Sequence, residues 1–386
     1  MQRITMFSLA LALTVSGAAP LIECAQAGKP GGGGEPTLPP VRYQIQFWDV
    51  PNPPGGGQVN GMNNLGQAVG YYYLPDGARH AFLYDPAVDP DTAIDLHDVI
   101  SLLGGGTLFP GWVAASGIDI NDFGMIVGYL VPAGDPWNPD FRKGFVLDTA
   151  NWTLSPLPDD DWNYSYPNAI NENGDIAGQY RRPDGTWDAY FTPADGGATL
   201  LLGQSVQNTR IYLNNPSGTR SAQVAGQLSN GTPFRWTIGA GVEIISGINS
   251  PSVEGFNDSG TICGSTYTKV GKGSSARYPY RYNTALQILS GGKGYGKSIN
   301  SAGDLLNPLV GGGAHLYHDT WGFLNPDDLI DATDTDSTTW FARRQFSLTH
   351  LTDRDDTTFG AICGQLTEMD LSSSFFLLTP VPVPTP

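Results

Sequence analysis

The stretch Asn121-Asp122-Phe123-Gly124-Met125-Ile126-Val127-Gly128 decides the fold, because the chain repeats it. Asn63 to Gly70 (NNLGQAVG), Asn171 to Gly178 (NENGDIAG) and Asn257 to Gly264 (NDSGTICG) are the clearest further copies. A fourth copy in chain order starts at Asn215-Pro216-Ser217-Gly218 and, after an insertion, ends at Gln223-Val224-Ala225-Gly226. Asn300 to Leu306 is a sixth copy, with Asn307 where Gly is expected. The last, Gly360-Ala361-Ile362-Cys363-Gly364, is degenerate, and its turn residue is read as Thr357. The copies end at 70, 128, 178, 226, 264, 307 and 364, so the period lies between 38 and 58 residues. A period of that size is the mark of an array of supersecondary units.

The chemistry of one copy predicts its shape. An apolar strand such as Gly117-Ile118-Asp119-Ile120 leads in, and Asn-x-x-Gly makes a tight turn in which Gly accepts positive φ. A second short strand ends in a Gly, where backbones can approach closely. A polar loop follows (Pro75-Asp76-Gly77, Pro183-Asp184-Gly185, Ser229-Asn230-Gly231), then a third strand with aromatics, as in His80-Ala81-Phe82-Leu83-Tyr84. A weaker fourth strand, such as Trp152-Thr153-Leu154, leads to the next copy. Four short antiparallel strands per repeat make one propeller blade. The fold class is therefore all-β, a seven-bladed β-propeller. The last copy ends on a third strand, Ser374 to Leu378, and a lone strand, Arg42 to Val50, precedes the first copy. Docking the lone strand beside the last hairpin closes the ring and removes an edge. An open solenoid is the alternative. Two long steps contain Ile94 to Ile100 and Leu324 to Ile330, each read as one short helical turn opened by acidic residues and inserted on one face of the ring.

Composition agrees. The 386 residues hold 50 Gly and 30 Pro, about a fifth of the chain, which suits many turns and few long helices. A net charge of -17 with no basic cluster predicts no nucleic-acid partner. Residues 1–27 read as a signal peptide: Arg3, an apolar run from Ile4 to Val15, then Ala25-Gln26-Ala27. Residues 28–41 read as a Gly/Pro linker, 42–380 as the propeller and 381–386 as a Pro-rich tail. The expected location is secreted, extracellular or periplasmic, and no later run is long enough for a membrane span. Cys263 and Cys363 hold the same place in two repeats, so they are expected to be separate buried thiols.

The repeats resemble the bacterial extracellular HAF repeats, named for a His-Ala-Phe signature that stands here as His80-Ala81-Phe82. The core of that family looks like Asn121 to Gly128, and its Asp-Leu-Asn-x-Leu-Ile segment like Asp95 to Ile100 and, less closely, Asn325 to Ile330. The resemblance covers nearly the whole chain after residue 41. It implies a secreted or surface-associated bacterial protein with a propeller fold, and it carries no established reaction or catalytic residues.

No nucleophile elbow, phosphate loop or Cys-x-x-Cys motif is present. His315-x-x-His318 has metal-like spacing without a third ligand. Two acidic runs are candidate Ca²⁺ ligands: Asp159, Asp160 and Asp161, and Asp331, Asp334 and Asp336. Neither fits a calcium-loop pattern, and solvated loops are the alternative. Trp162, Tyr164 and Trp340 beside them are candidate ligand-binding aromatics, although Trp112 and Trp162 share one offset from their Asn and so also read as blade packing. No cofactor is expected beyond possible Ca²⁺. Three functions stay open: a non-enzymatic recognition or matrix module for a glycan or surface protein, a carbohydrate-active enzyme, and a calcium-stabilised scaffold. A monomer is expected.

Overall fold

Each Asn-x-x-Gly stretch folds as its chemistry dictates. In the second copy the Gly124 N–H donates to the Asn121 carbonyl at 3.0 Å, and Asn121 Oδ1 accepts from the N–H groups of Phe123 and Met125. Gly124 sits at φ 75°, open to glycine at no steric cost. The turn Asn also reaches sideways. Nδ2 of Asn63, Asn121, Asn171 and Asn257 donates to the backbone carbonyl of Asn121, Asn171, Asn214 and Asn300 respectively, at 2.9–3.2 Å. One residue thus shapes its own turn and ties its blade to the next.

These contacts correct two assignments. The fourth turn is built on Asn214, not Asn215, since Gln223 N donates to Asn214 Oδ1 at 2.7 Å. In the last copy Thr352 does the work of Asn: its Oγ1 accepts from Ala361 N at 2.8 Å. Thr357 lies outside the described residues.

This computed structural model describes residues 23–25, 39–51, 56–105, 109–133, 142–157, 164–206, 210–215, 221–309, 313–342, 345–353, 359–367 and 373–383. The strands form seven antiparallel four-stranded blades, each in chain order from inner to outer strand except the last. Blade one is Gly57–Met62, Ala68–Tyr73, Arg79–Tyr84 and Ile94–Asp95. Blade two is Trp112–Ile120, Met125–Pro132, Lys143–Asp148 and Thr153–Pro156. Blades three to six occupy 164–206, 212–244, 252–289 and 298–324. Blade seven takes Gln345–Leu351, Ile362–Thr367 and Ser373–Pro382 from the end of the chain and Val41–Trp48 from its start. The register pairs Ile45 with Leu378 and Trp48 with Phe375, which is the expected closure. Val41 pairs with Pro382, so the last strand runs two residues into the stretch read as a tail. Glu23–Ala25 adds a parallel edge strand beside Leu286–Leu289, and cleavage after Ala27 would remove it.

The repeated Gly lies inside the second strand rather than at its expected end, as in Ala68–Tyr73 and Met125–Pro132, and close approach explains it. A Cβ built on Gly70, Gly128, Gly178, Gly264 or Gly364 would lie 1.8–2.4 Å from a carbonyl oxygen of the inner strand. Across the ladder the same glycines face Phe82, Phe145, Tyr190, Tyr280 and Phe376, all buried, and each ring lies over its glycine. Burying such a ring contributes about 2–3 kcal/mol. Blade six departs: Asn307 faces His315, which therefore takes the place of Phe82 rather than that of His80.

Both expected insertions are present. Asp95 caps the helix Leu96–Ile100 by accepting from the N–H groups of His97 and Asp98. Asn325 caps the 3₁₀ turn Pro326–Asp328 through Asp327 N. A further short helix, Ser337–Ala342, precedes blade seven. All three lie in connections from an outer strand to the next inner strand, hence on the face opposite the Asn-x-x-Gly turns. Cys263 and Cys363 are free and buried. Burial raises both thiols, Cys363 to about 12, so neither is a reactive thiolate at neutral pH.

Candidate functional site

Of the aromatics and acids singled out by sequence, Trp340, Asp331, Asp334 and Asp336 have described side chains. Asp159, Asp160, Asp161 and Trp162 lie outside the described residues. Tyr164 opens the inner strand of blade three and pairs with Arg181. Trp340 is fully buried, its Nε1–H donating to Asp327 Oδ1 at 3.0 Å and its ring packed edge-on to Phe376. That corrects its reading as a ligand platform: the ring has no face left to stack a sugar. Asp331, Asp334 and Asp336 serve the backbone. Asp331 Oδ1 accepts from Thr333 N, and Asp334 accepts from Ile45 N at 3.0 Å and from Asp336 N at 2.9 Å. The acidic run thereby pins the closing strand. A depression of about 420 Å³ beside it is lined by Gln44, Gln46, Asp334 and Asp336. Among the described residues no three of His, Cys, Asp and Glu gather as metal ligands.

The histidines are explained by packing. His80 Nδ1 lies 2.7 Å from Asp95 Oδ2, and Tyr72 donates to the same oxygen at 2.6 Å. Burial opposes ionisation of Asp95, but the hydrogen bonds from His80 and Tyr72 outweigh it and hold the carboxyl below its usual range. The His and the Asp of the two family-like motifs thus clamp one helix cap. His318 Nδ1 accepts from Thr320 N at 2.9 Å, which removes one nitrogen of the His315-x-x-His318 pair from ligation.

The central channel is bridged. Arg210, which leads into blade four, donates to the carbonyl of Asn60 in blade one at 2.9 Å and to that of Ile118 in blade two at 3.4 Å. Burial pushes the nearby Asp119 carboxyl up to about 6 against the pull of Arg210. His350 is driven well below the usual imidazole range by burial and by the charges of Arg210 and Lys297. A guanidinium fixed to two carbonyls leaves the axis a polar strut rather than an open cleft.

The face that bears the hairpins between second and third strands is different. Arg79 lies 3.6 Å over the Tyr71 ring and 6.0 Å from Tyr73, and those two rings meet edge to face at 5.5 Å. Arg142 lies 4.7 Å from the Tyr129 ring and 5.1 Å from Tyr166, with the rings 5.1 Å apart. Tyr166 lies in the field of Arg142, Arg210 and Arg79, so the two groups form one patch over blades one to three. Burial first, tempered by the arginines, raises the Tyr71 and Tyr166 hydroxyls to about 12, which keeps them neutral hydrogen-bonding groups at any physiological pH. Cations over ring faces gain about 0.5–2 kcal/mol each and hold both planes in place.

Sequence reasoning picked Trp162 and Tyr164 and missed Tyr166, which lies on the same strand as Tyr164. A signal was present. Tyr71 and Tyr129 each follow the closing Gly of a repeat, where the other copies carry Gln179, Gln227, Ser265 and Gln365.

No protein-family model matches the chain, and no curated protein does. Among solved structures, the β-propeller domain of the Trilobed protease from Pyrococcus furiosus, described as having an open velcro topology, is 8% identical with a TM-score of 0.53. The match covers 85% of this chain and 98% of that one. The acylaminoacyl peptidase of Pyrococcus horikoshii is 10% identical with a TM-score of 0.48, covering 86% of this chain and 52% of that one. The Aleuria aurantia lectin is 11% identical with a TM-score of 0.34, covering 89% and 97%. At such identities the first likeness establishes the β-propeller fold alone, and the other two add nothing to it. In this chain the ring is closed by Val41–Trp48.

Proposed function

We propose that this chain is a secreted, non-enzymatic recognition module of the HAF-repeat kind, which holds a saccharide against the arginine–tyrosine face of blades one to three. One observation carries the reading. Arg79 and Arg142 are oriented by tyrosine rings rather than by carboxylates, and neither makes an ion pair among the described residues. Fixed planar groups with polar edges suit a ligand that presents both C–H faces and hydroxyls. The axis bridged by Arg210 to Asn60 and Ile118 supports binding over catalysis in the channel. Export rests on the leader-like residues 1–27 and on the HAF-like repeats.

The test is a glycan array probed with the full chain, with reducing-sugar release measured on every hit. Retention of at least one saccharide class without release supports the reading. A silent array removes it, and release of reducing ends replaces it with a carbohydrate-active enzyme.

A further inference from the structure

We infer that the saccharide is an acidic one, with carboxylate or sulfate groups along a polymer, and that Arg79, Arg142 and Arg277 receive those groups. The inference rests on the recognition reading above and narrows it.

Three observations converge. First, other arginines of the chain have acids: Arg182 pairs with Asp188, Arg235 with Glu243 and Arg281 with Asp319. Among the described residues Arg79, Arg142 and Arg277 make no ion pair. Second, the Arg79 Nε–H is buried and has no hydrogen-bond partner among the described residues. A buried donor of that kind costs free energy until an acceptor reaches it, and an anionic acceptor that also engages the neighbouring N–H gains most. Third, the arrangement recurs. Arg79 stands across the ladder from Tyr73, and Arg277 across from Tyr267 at the same repeat position. Arg277 lies 4.1 Å from the Tyr295 ring and 5.5 Å from Tyr267, and its Nε donates to Ser265 Oγ rather than to an acid. The same direction of the hairpins puts Arg277 on the face that bears Arg79.

The described hairpin acids Asp76 and Asp184 bond within their own turns: Asp76 accepts from Ala78 N, and Asp184 from Thr186 N and Oγ1. Anions on one chain that meet both places bind through an effective concentration, so affinity should rise with polymer length.

The experiment is affinity electrophoresis of the full chain through gels holding polygalacturonate, dextran sulfate, neutral dextran or poly(dT). Retardation by polygalacturonate or dextran sulfate but not by dextran is expected, and it should weaken several-fold between about 50 and 300 mM salt. The arm that retards more identifies carboxylate or sulfate as the group. The double variant Arg79→Gln, Arg142→Gln should lose about tenfold or more in affinity, and Arg277→Gln less. Unchanged thermal midpoints show that the variants are folded; if one unfolds, Arg79→Lys, which keeps the charge without the fork, is expected to bind several-fold more weakly. Equal retardation by neutral dextran, or full binding by the folded double variant, overturns the acidic assignment and leaves recognition standing. Retardation by poly(dT) as strong as by the polysaccharides overturns it in favour of general polyanion binding. A chain silent here and on the glycan array loses both readings.

Discussion

The side-chain oxygen of Asn64 accepts a hydrogen bond at 2.9 Å from the backbone N–H of Asp353, 289 residues away. That contact closes a circle. Asn64 N donates to Asp122, Asp122 N to Glu172, Glu172 N to Asn215 and Asn215 N to Asp258. Ser301 Oγ links back to Asp258, and Ser301 N donates to Asp353. Each residue follows the turn Asn, or Thr352, of its blade. The ring is thus fastened twice, once by the strand Val41–Trp48 and once by this circle on the opposite side of the blades from the arginine–tyrosine patch.

Asn64→Ala should break the circle where blade seven meets blade one. The loss is expected to be about 1 kcal/mol, because the site is exposed and water replaces part of the bonding. Chemical denaturation of the variant against the parent checks this, and a change below a few tenths would mean the circle adds nothing to closure.

Trp48→Ala should be far more damaging. Trp48 is 2% exposed and stacks on Tyr84 at 4.3 Å and Phe375 at 4.6 Å, so one ring joins the closing strand to both terminal blades. A loss of about 3–5 kcal/mol is expected. Hydrogen exchange should show residues 41–48 and 373–382 losing protection before blades three to five.

Gly70→Ala and Gly77→Ala should rank in a fixed order. The added methyl at 70 would sit 1.9 Å from the Gln58 carbonyl oxygen and 2.8 Å from the Phe82 ring, so about 3 kcal/mol or more is expected. At 77 there is open space and only the φ of 85° to strain, about 1 kcal/mol. Thermal midpoints of the two variants decide it, and a reversed order would sink the close-approach explanation.

Glu172 and Asp119 should contribute stability that falls as pH rises from about 4 to 7, against the opposite slope contributed by His350. Burial, then the charge of Asp122, raises Glu172 to about 7, and burial raises Asp119 to about 6. Both are above their unfolded values, so these two groups bind more protons in the folded chain in that window, and their stabilising share is largest at its acidic end. Glu172 is half-buried, which limits its share to about 1 kcal/mol. Glu172→Gln keeps an acceptor for Asp122 N and should flatten part of the slope in midpoints taken from pH 5 to 8. An unchanged slope would remove Glu172 from the account.

The sequence by itself determined the number of blades, the closing strand and the place of both predicted insertions. Those features are local: an Asn-x-x-Gly turn depends on one φ and a few hydrogen bonds, and repetition multiplies a weak signal. The same locality explains the misplaced Asn215 and Thr357, since an insertion leaves two polar residues equally able to cap a turn until the neighbouring carbonyl chooses. The face proposed for recognition was decided by tertiary structure alone. Arg210 and Asn60 stand 150 residues apart, and Tyr166 meets the field of Arg79 only once the blades curve into a ring. Trp340 shows the converse: an aromatic in an acidic loop reads as a binding surface, yet packing against Phe376 buries it. Which side of a strand faces ligand, neighbour or axis depends on blade-to-blade packing, and no single repeat encodes that.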